Sequence, residues 1–202
     1  MRDIDGKLWS LQSVAPDDTK RFLPGGRKKG CFHHIGILED GKPIVIVEGY
    51  ATGASIHMAT QQATVIAFDA YNLKPVVEEL KKVYPNSPLI IAGDDDYWKQ
   101  ANVGRQKAEE AARKYACSVV FPKFKDLNTK PTDFNDLHVL EGLEVVKTQI
   151  EQTQRISPQT DEPLPVPTAL LPVPSFTLDM IPEPLQPWVR DIAHRRQCPL
   201  DF

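Results

Sequence analysis

The sequence predicts an α/β fold, with a mostly parallel sheet flanked by helices and a small antiparallel, β-rich segment at the N-terminus. Four short apolar runs, each typical of a buried strand, are spaced between residues 42 and about 150. Helical patterns stand between them, and this alternation is typical of parallel sheets covered by helices on both faces. The chain has 202 residues, 41% hydrophobic and 25% charged, as in soluble globular proteins.

The elements of this α/β region follow in order along the chain. The predicted strands are Ile44–Val47, Thr64–Phe68, Leu89–Ala92 and Ser118–Phe121. A first helix is predicted from the spacing of Leu73, Val76, Val77, Leu80 and Val83. Its acidic Glu78-Glu79 precede Lys81-Lys82, as the helix dipole prefers. A second helix is predicted over Val103 to Tyr115, and a helix-like run covers Leu137 to Ile150.

The two ends of the chain differ from this region. Residues 1 to 40 predict short antiparallel strands, with turns at Asp5-Gly6 and Pro24-Gly25-Gly26. The stretch Pro158–Pro187 has nine prolines in thirty residues and predicts an extended linker. The helical spacing of Trp188–His194 lies in a C-terminal end too short to bury a core. We therefore expect four parts, 1–40, 41–152, 153–187 and 188–202, in a piece of a longer protein.

Several classes of protein are excluded at this stage. No apolar stretch reaches the roughly 18 residues that span a bilayer, and the N-terminus lacks the apolar region of a secretory signal. Cys31, Cys117 and Cys198 are far apart, without the spacing of a metal site or a disulfide framework. We expect a cytoplasmic protein with reduced thiols and no membrane partner.

Carboxylates follow two of the predicted strands directly. Asp94-Asp95-Asp96 comes after the strand that ends at Ala92 and Gly93, and Glu48 follows Val47. Open α/β sheets bind their ligands at these carboxyl ends. Glu48, Asp94 and Asp96 together would suit a hard divalent cation.

The two flanking aspartates of the triplet are the ones expected to act together. In an extended segment Asp94 and Asp96 point to the same side, and Asp95 points away, toward solvent or a helix terminus. Gly49 would let the backbone turn sharply or approach a phosphate. Alternatively, an acidic run after a strand is a solvated loop or a helix N-cap. The hypothesis of a cation site depends on the occurrence of carboxylates at both strand ends together.

A basic cluster precedes the α/β region. Its members are Lys20, Arg21, Arg27, Lys28 and Lys29, interleaved with Phe22, Phe32, His33 and His34. Residues 1–34 hold seven Lys and Arg against four Asp, a local balance of +3. Basic and aromatic residues together suit a single-stranded nucleic acid, although a charge run is also commonly a solvated face. His33 and His34 are adjacent and make a poor metal pair.

Three further features have two interpretations each. Asp133, Asn135 and Asp136 precede a helix-like run and would cap it, or would lie at the rim of a metal site. Gly104 is a helix entry or a phosphate contact through its backbone. Asn72 is a turn residue, or it lines the crevice at the carboxyl ends of the predicted strands.

Three segments resemble the Toprim domain, the catalytic fold shared by bacterial primases, type IA and II topoisomerases and some nucleases. They are Val47–Thr52, Ile91–Asp96 and Asp133–Leu137. The resemblance is to the primase-type Toprim domain of plasmid and phage primase–helicases, including conjugative-plasmid primases, and covers residues 42 to 150. The chain departs from cellular primases at Thr52, where their motif has an aspartate.

The resemblance implies a DNA primase core that makes primers on single-stranded DNA from nucleoside triphosphates with Mg²⁺ or Mn²⁺. Catalytic and metal-binding roles fall on Glu48, Asp94 and Asp96, with Asp133, Asn135 and Asp136 as a secondary acidic loop. Implied contacts to template or nucleotide are Arg21, Arg27, Lys28, Lys29, Gly49 and Asn72. Residues 21–30 resemble the segment before the Toprim domain, and residues 176–199 the lead-in to a helicase-type domain. The alternatives are a Toprim nuclease and a non-catalytic remnant that binds nucleic acid or aids assembly.

Overall fold

A six-stranded sheet forms the centre of the computed structural model, which describes residues 1–17, 19–155 and 177–196. The strands are β1 (Gln12–Val14), β2 (Lys20–Phe22), β3 (His33–Ile35), β4 (Ile44–Val47), β5 (Ala63–Ile66), β6 (Leu89–Ala92), β7 (Ser118–Val120) and β8 (Gln154–Arg155). The helices are α1 (Tyr50–Thr60), α2 (Ala70–Val83), α3 (Val103–Tyr115), α4 (Phe134–Glu141), α5 (Leu143–Glu151) and α6 (Gln186–Arg196). The chain divides into two compact units, Met1–Gln159 and Thr160–Phe202.

The sheet is mostly parallel, as the sequence predicts. Its strand order is β3-β5-β4-β6-β7-β8. The four inner strands run parallel, and the edge strands β3 and β8 are antiparallel to their neighbours. The predicted fold class is confirmed, and the central strands β4 and β6 end side by side, with Val47 paired to Ala92.

Helices cover both faces of the sheet. All four residues of β4, β5 and β6 are buried, which is why these strands are continuous apolar runs. One face packs against α2 and α3 through residues that include Leu73, Leu80 and Ala111. The other face packs against α1, α4 and α5 through residues that include Ile56 and Phe134.

Helix α1 is not among the predicted elements. Its sequence, rich in alanine, threonine and glycine, has no clear apolar stripe. It lies close to the sheet because Gly53 has no side chain: a Cβ there would be 2.9 Å from Cγ1 of Ile66. Small residues thus replace the usual apolar periodicity on this helix.

The boundaries of other elements need correction. Strand β5 ends at Ile66, two residues before the predicted end, and Phe68 then has a φ of +66°. The run from Leu137 to Ile150 is two helices, because Gly142 has a φ of +91° between α4 and α5. Strand β7 ends at Val120 in place of Phe121.

The N-terminal residues form the predicted antiparallel pairs. Arg2 pairs with Leu8 across a turn in which Gly6 has a φ of +82°, and β1 pairs with β2. Arg2 also pairs with Phe32, which ties this segment to the strand that joins the main sheet, β3.

The second unit is described from residue 177 to 196. It has two short 3₁₀ turns, Leu178–Met180 and Glu183–Leu185, followed by α6, which contains the predicted helix Trp188–His194. The rest of the predicted linker, residues 158–176, lies outside the described residues. No helix among the described residues is both long and apolar enough to cross a bilayer.

Candidate active site

Acidic side chains gather where three adjacent parallel strands end. Glu48 follows β4, Asp94 follows β6, and Asp69 follows β5 at the start of α2. The charges of Asp69 and Asp96 act on Glu48, and those of Glu48, Asp133 and Asp96 act on Asp94. The three predicted carboxylates therefore lie within electrostatic range of one another, at the carboxyl edge where α/β sheets bind ligands.

Glu48 and Asp94 are both buried enough to resist ionisation. Burial, followed by the charge of Asp69, raises the pKa of Glu48. Burial, followed by the charges of Glu48 and Asp133, raises the pKa of Asp94 to about 8. Carboxylates that share a site without a cation repel one another in this way.

One oxygen of this cluster has no partner. Oδ1 of Asp94 is buried and accepts no hydrogen bond within the described residues. A buried acceptor without a donor is costly unless a ligand supplies one. The buried orphan oxygen and its acidic neighbours fit a hard cation with oxygen ligands.

The protein supplies only part of such a cation site. Among the described residues, no group of three or more Asp, Glu, His or Cys side chains could hold a metal ion as the side chains stand. Mg²⁺ commonly binds one or two carboxylates and completes its shell with water and substrate phosphates. Asp96 is at present paired with Lys99, Nζ to Oδ2 at 2.8 Å.

Asp95 points away from the site, as predicted. Its carboxylate accepts hydrogen bonds from Arg105 (Nη2 to Oδ2, 2.7 Å) and from Asn102 (Nδ2 to Oδ1, 2.6 Å) at the start of α3. The Arg105 hydrogen bonds hold the pKa of Asp95 below its ordinary value. Asp95 thus anchors the loop to the start of α3.

Two glycines make room for Asp94. A Cβ on Gly93 would lie 2.6 Å from Cε1 of Phe121 and 2.9 Å from Cβ of Ala108. A Cβ on Gly104 would lie 3.0 Å from the carbonyl oxygen of Asp94. Gly104 is thus a close-packing position at the entry of α3, and a side chain at either glycine would displace Asp94.

The secondary acidic loop caps α4 and also borders the site. Asp133 caps the helix by accepting from the backbone N–H of Asp136 at 2.8 Å, and its charge acts on Asp94. Its other oxygen accepts from the hydroxyl of Thr52 at 2.7 Å. Asn135 accepts from Ser55 at 3.1 Å. Asp133 therefore caps α4, as predicted, and its charge also reaches Asp94.

Asp136 and Asn135 serve the helix and its neighbour rather than the acidic cluster. Oδ2 of Asp136 accepts from the backbone N–H of Thr132 at 2.7 Å, which closes the turn before α4. Ser55, which donates to Asn135, also lies 3.0 Å from Nδ1 of His138. These bonds fasten α4 to α1.

Lys20 is the basic residue whose charge acts on both Glu48 and Asp94. Its charge lowers the pKa of both Glu48 and Asp94, against the larger effect of burial. Arg21 follows it on β2, and adjacent strand residues point to opposite faces. Arg21 therefore faces away from the acids when Lys20 faces them.

The other basic residues lie at different distances from the site. Nζ of Lys28 is 3.2 Å from Oδ2 of Asp69 and 4.3 Å from the centre of the Phe22 ring. Arg27 stacks on Trp9, with its guanidinium 4.5 Å from the ring centre. Lys29 lies near Glu78 of α2, whose pKa it helps to lower, after the Tyr115 hydrogen bond as the main cause.

Two implied nucleotide contacts have other roles in the structure. Asn72 is buried, with Oδ1 accepting from Gly30 at 2.8 Å and Nδ2 donating to Cys31 at 2.9 Å and Ala67 at 2.8 Å. Its contacts assign it to the scaffold in place of the nucleotide contact. Gly49 has an ordinary extended backbone at the N-cap of α1, so no sharp turn requires glycine there.

Two neighbours of the site, Asp69 and Lys20, were missing from the predicted set. Asp69 could have been found, since it directly follows the predicted strand Thr64–Phe68, and it stands three residues after the end of β5 in the structure. Lys20 had no signal beyond its membership of the basic cluster.

A family model described as Toprim domain matches residues 43–144. The chain belongs to the Toprim family. Two Escherichia coli proteins named DNA primase TraC are similar to it, 46% identical over 129 residues and 43% identical over 139 residues. These matches cover 60% and 65% of the chain but 12% and 10% of the relatives. The matched part of this Toprim protein therefore spans about a tenth of the length of those relatives.

A solved structure has the same fold. It is the crystal structure of the primase fragment of the bacteriophage T7 primase-helicase protein, with a TM-score of 0.54. The likeness covers 74% of this chain and 59% of that one at 19% identity, which supports the fold alone. Together the matches confirm the predicted resemblance to a plasmid- and phage-type primase Toprim domain.

Proposed function

We propose that this Toprim domain is the catalytic core of a DNA primase, which joins nucleotides on a single-stranded DNA template in the cytoplasm. The observation that carries the proposal is the buried Asp94 oxygen without a partner among the described residues, within reach of the charges of Glu48, Asp96 and Asp133. The relatives named DNA primase supply the reaction. The same acids would serve any phosphoryl transfer, so the choice of primase rests on those relatives.

We propose that Asp94 and Asp96 hold Mg²⁺ (or Mn²⁺), with Glu48 as the third carboxylate. When bound, the ion would neutralise the phosphates of a nucleotide. The protein itself would position the reacting groups and shield them from solvent. Buried strand ends fix Glu48 and Asp94, and such rigidity is what transfer of a phosphoryl group requires. We propose that Glu48, whose pKa is raised by burial, exchanges a proton with the attacking 3′-hydroxyl.

The basic residues would receive the template or the triphosphate. Lys20 lies within electrostatic reach of the acids, and Lys28 borders them through Asp69. We propose that these two bind nucleotide phosphates, and that Arg21, Arg27 and Lys29 contact the strand farther out. We also propose that the natural protein is longer and carries a helicase-like domain after residue 188.

The proposal is tested by primer synthesis on single-stranded DNA with Mg²⁺ and nucleoside triphosphates, in the full-length protein. We expect Asp94→Asn and Glu48→Gln to abolish synthesis while the protein stays folded. Glu144→Gln, at an exposed position of α5, is the matched control and should synthesise normally. Normal synthesis by either site variant would refute the proposed roles.

The same assay separates the alternatives. Loss of labelled single-stranded DNA without added nucleotides would indicate a Toprim nuclease. Absence of Mg²⁺ and Mn²⁺ binding, measured by calorimetry, would indicate a domain that only binds nucleic acid or aids assembly.

A further inference from the structure

An exposed aromatic pair borders the acidic site on the side of β7. Tyr97 and Trp98 directly follow Asp96 in the loop between β6 and α3. Their rings meet edge to face with centres 4.8 Å apart. Tyr97 is 43% exposed and Trp98 is half-buried. Tyrosine and tryptophan with accessible rings are typical of binding surfaces.

The pair is held in place by the surrounding loops. The backbone N–H of Tyr97 donates to the carbonyl of Asp95 at 2.8 Å. Its hydroxyl donates to the carbonyl of Leu127 at 3.1 Å, on the loop that follows β7. The ring of Tyr97 is thus fixed at both ends while it remains accessible, so little freedom would be given up on binding.

The loop that follows β7, which Tyr97 contacts at Leu127, carries a net positive charge. Residues 122–132 contain three lysines, Lys123, Lys125 and Lys130, against one acid, Asp126. All three lysines are exposed. Lys125 lies 3.8 Å from Glu141, whereas Lys123 and Lys130 form no ion pair with any described residue. The hydrogen bond from Tyr97 to Leu127 joins this loop to the aromatic pair.

We propose that Tyr97, Trp98, Lys123 and Lys130 form a second binding surface for single-stranded nucleic acid. A base would stack on the aromatic pair, and the lysines would contact the neighbouring phosphates. The inference rests on the proposed function, because primer synthesis is the reason for a nucleic-acid strand to reach this edge of the sheet.

The position of this surface supports single-stranded nucleic acid as its ligand. The N-terminal basic segment lies on the β5 side of the acids, where Lys28 pairs with Asp69. The aromatic surface lies on the other side, toward β7. A nucleic-acid strand bound by both the basic segment and the aromatic surface would pass across Glu48 and Asp94, which lie between the two. A free nucleotide carries the same base and phosphate chemistry but would need only one flank.

The test is binding of a labelled oligothymidylate of about 16 nucleotides, followed by anisotropy. We expect the double variant Tyr97→Ala, Trp98→Ala to bind roughly ten-fold more weakly or worse, since it offers no aromatic ring for stacking. Trp188→Ala, 63% exposed on α6, is the control and should bind normally. A second double variant, Tyr97→Leu with Trp98→Leu, keeps apolar volume and guards against loss of folding. Unchanged binding by both folded double variants overturns the proposal.

An oligonucleotide with abasic sites tests the stacking directly. The wild-type protein should bind it more weakly than the normal strand, and the double variant should bind abasic and normal strands alike. A double variant that still discriminates between them overturns the stacking. So does a variant whose affinity falls for free thymidine triphosphate but not for the strand.

Salt dependence tests the lysines. Log K falls as log salt rises, and removal of one phosphate contact to a single strand makes this negative slope less steep by about 0.7. Lys123→Ala and Lys130→Ala should each show that change. Lys42→Ala should not show it, because Lys42 is exposed just before β4, at the amino end of that strand and away from the acids. Equal slopes for all three variants overturn the phosphate contacts.

The outcomes separate this inference from the proposed function. If the wild-type protein makes no primers but its strand binding depends on Tyr97 and Trp98, the primase proposal fails and the surface stands. If it makes primers and the double variants bind the strand normally, the surface fails and the primase proposal stands.

Discussion

The hydroxyl of Thr52 donates a hydrogen bond of 2.7 Å to Oδ2 of Asp133, and so joins α1 to α4 beside the acidic site. Thr52 stands where the motif of cellular primases has an aspartate. A carboxylate there would face Asp133 and add a further negative charge to a cluster whose members already repel one another. The threonine gives Asp133 a donor instead.

Removal of that hydroxyl should destabilise the domain. Thr52→Val keeps the volume but leaves an oxygen of Asp133 without its donor, and hydrogen bonds to charged groups contribute about 1.5–3 kcal/mol. We expect a loss of that order in the free energy of urea unfolding. Thr52→Ser retains the hydroxyl and is the control; an equal loss for both variants would point to packing instead of the hydrogen bond.

Ionisation of Asp94 should make the metal-free domain less stable as the pH rises. Its pKa is about 8 in the folded state against 3.8 for the ordinary group. Between these values the folded protein holds a proton that the unfolded chain has released, so the contribution of Asp94 to stability is greatest below about pH 4 and is lost as the pH rises toward 8. The slope from this one group is at most about 1.4 kcal/mol per pH unit.

The measurement is urea unfolding at several pH values with a chelator present. Asp94→Asn cannot ionise and should show a smaller decline with pH than the wild-type protein. Glu48, whose pKa burial also raises, changes stability in the same direction and should keep part of the decline. Parallel curves for the wild-type protein and Asp94→Asn would contradict the burial of Asp94 as an acid.

Added Mg²⁺ should restore the stability that the domain loses at high pH. A cation bound only by the folded state raises the free energy of unfolding by RT ln(1 + [L]/Kd), about 2.7 kcal/mol when it is present at 100 times Kd. We expect the melting temperature of the wild-type protein to rise with Mg²⁺ near pH 8 and that of Asp94→Asn to change little. An equal rise in both proteins would place the ion elsewhere.

The sequence was sufficient for the parts of the site that depend on strand ends. Glu48 and Asp94 follow apolar runs that are buried on both faces, so their position at one edge of the sheet follows from the parallel order. Asp95 was also predictable, because alternate residues of an extended segment point to opposite sides. Helix α1 was not, because its small residues give no periodic signal.

Contacts between distant segments explain the rest. Nothing near Asn72 in the sequence reveals that its amide bonds to Gly30 and Cys31, some forty residues earlier. The approach of Lys20 to the acids depends on how the N-terminal segment docks, and Asn72 contributes to that docking through its bonds to Gly30 and Cys31. A local pattern contains neither fact.

Gly93 offers a test of how closely the sheet and α3 are packed. Gly93→Ala would place its Cβ 2.6 Å from Phe121 and 2.9 Å from Ala108, so these neighbours or the backbone must shift. Overpacking of this kind costs about 1–3 kcal/mol. The shift would also displace Asp94, so affinity for Mg²⁺ should fall with stability. Gly49→Ala, whose Cβ would lie 3.2 Å from Oγ1 of Thr52 at an ordinary φ, should cost less. A reversed order would contradict the packing.

Asn72 should hold the N-terminal basic segment against the rest of the domain. Asn72→Ala removes three hydrogen bonds and leaves the N–H of Gly30 and the carbonyls of Cys31 and Ala67 buried without partners. We expect a loss of roughly 2–4 kcal/mol in the free energy of unfolding, because each unsatisfied buried group costs about 1–3 kcal/mol and water relieves some of it. Asn72→Asp keeps the acceptor for Gly30 but sets a buried carboxylate oxygen against the carbonyls of Cys31 and Ala67, so its loss should be at least as large.

Hydrogen exchange would locate the effect of Asn72→Ala. The amides of Gly30, Cys31 and Phe32 should exchange faster, whereas those of β4 and β6 should change only as global stability changes. A detached segment would also withdraw Lys20 and Lys28 from the acids. Strand and nucleotide binding should then weaken even though Asn72 itself touches neither. Unchanged exchange at Gly30 with weakened nucleotide binding would instead make Asn72 a direct ligand.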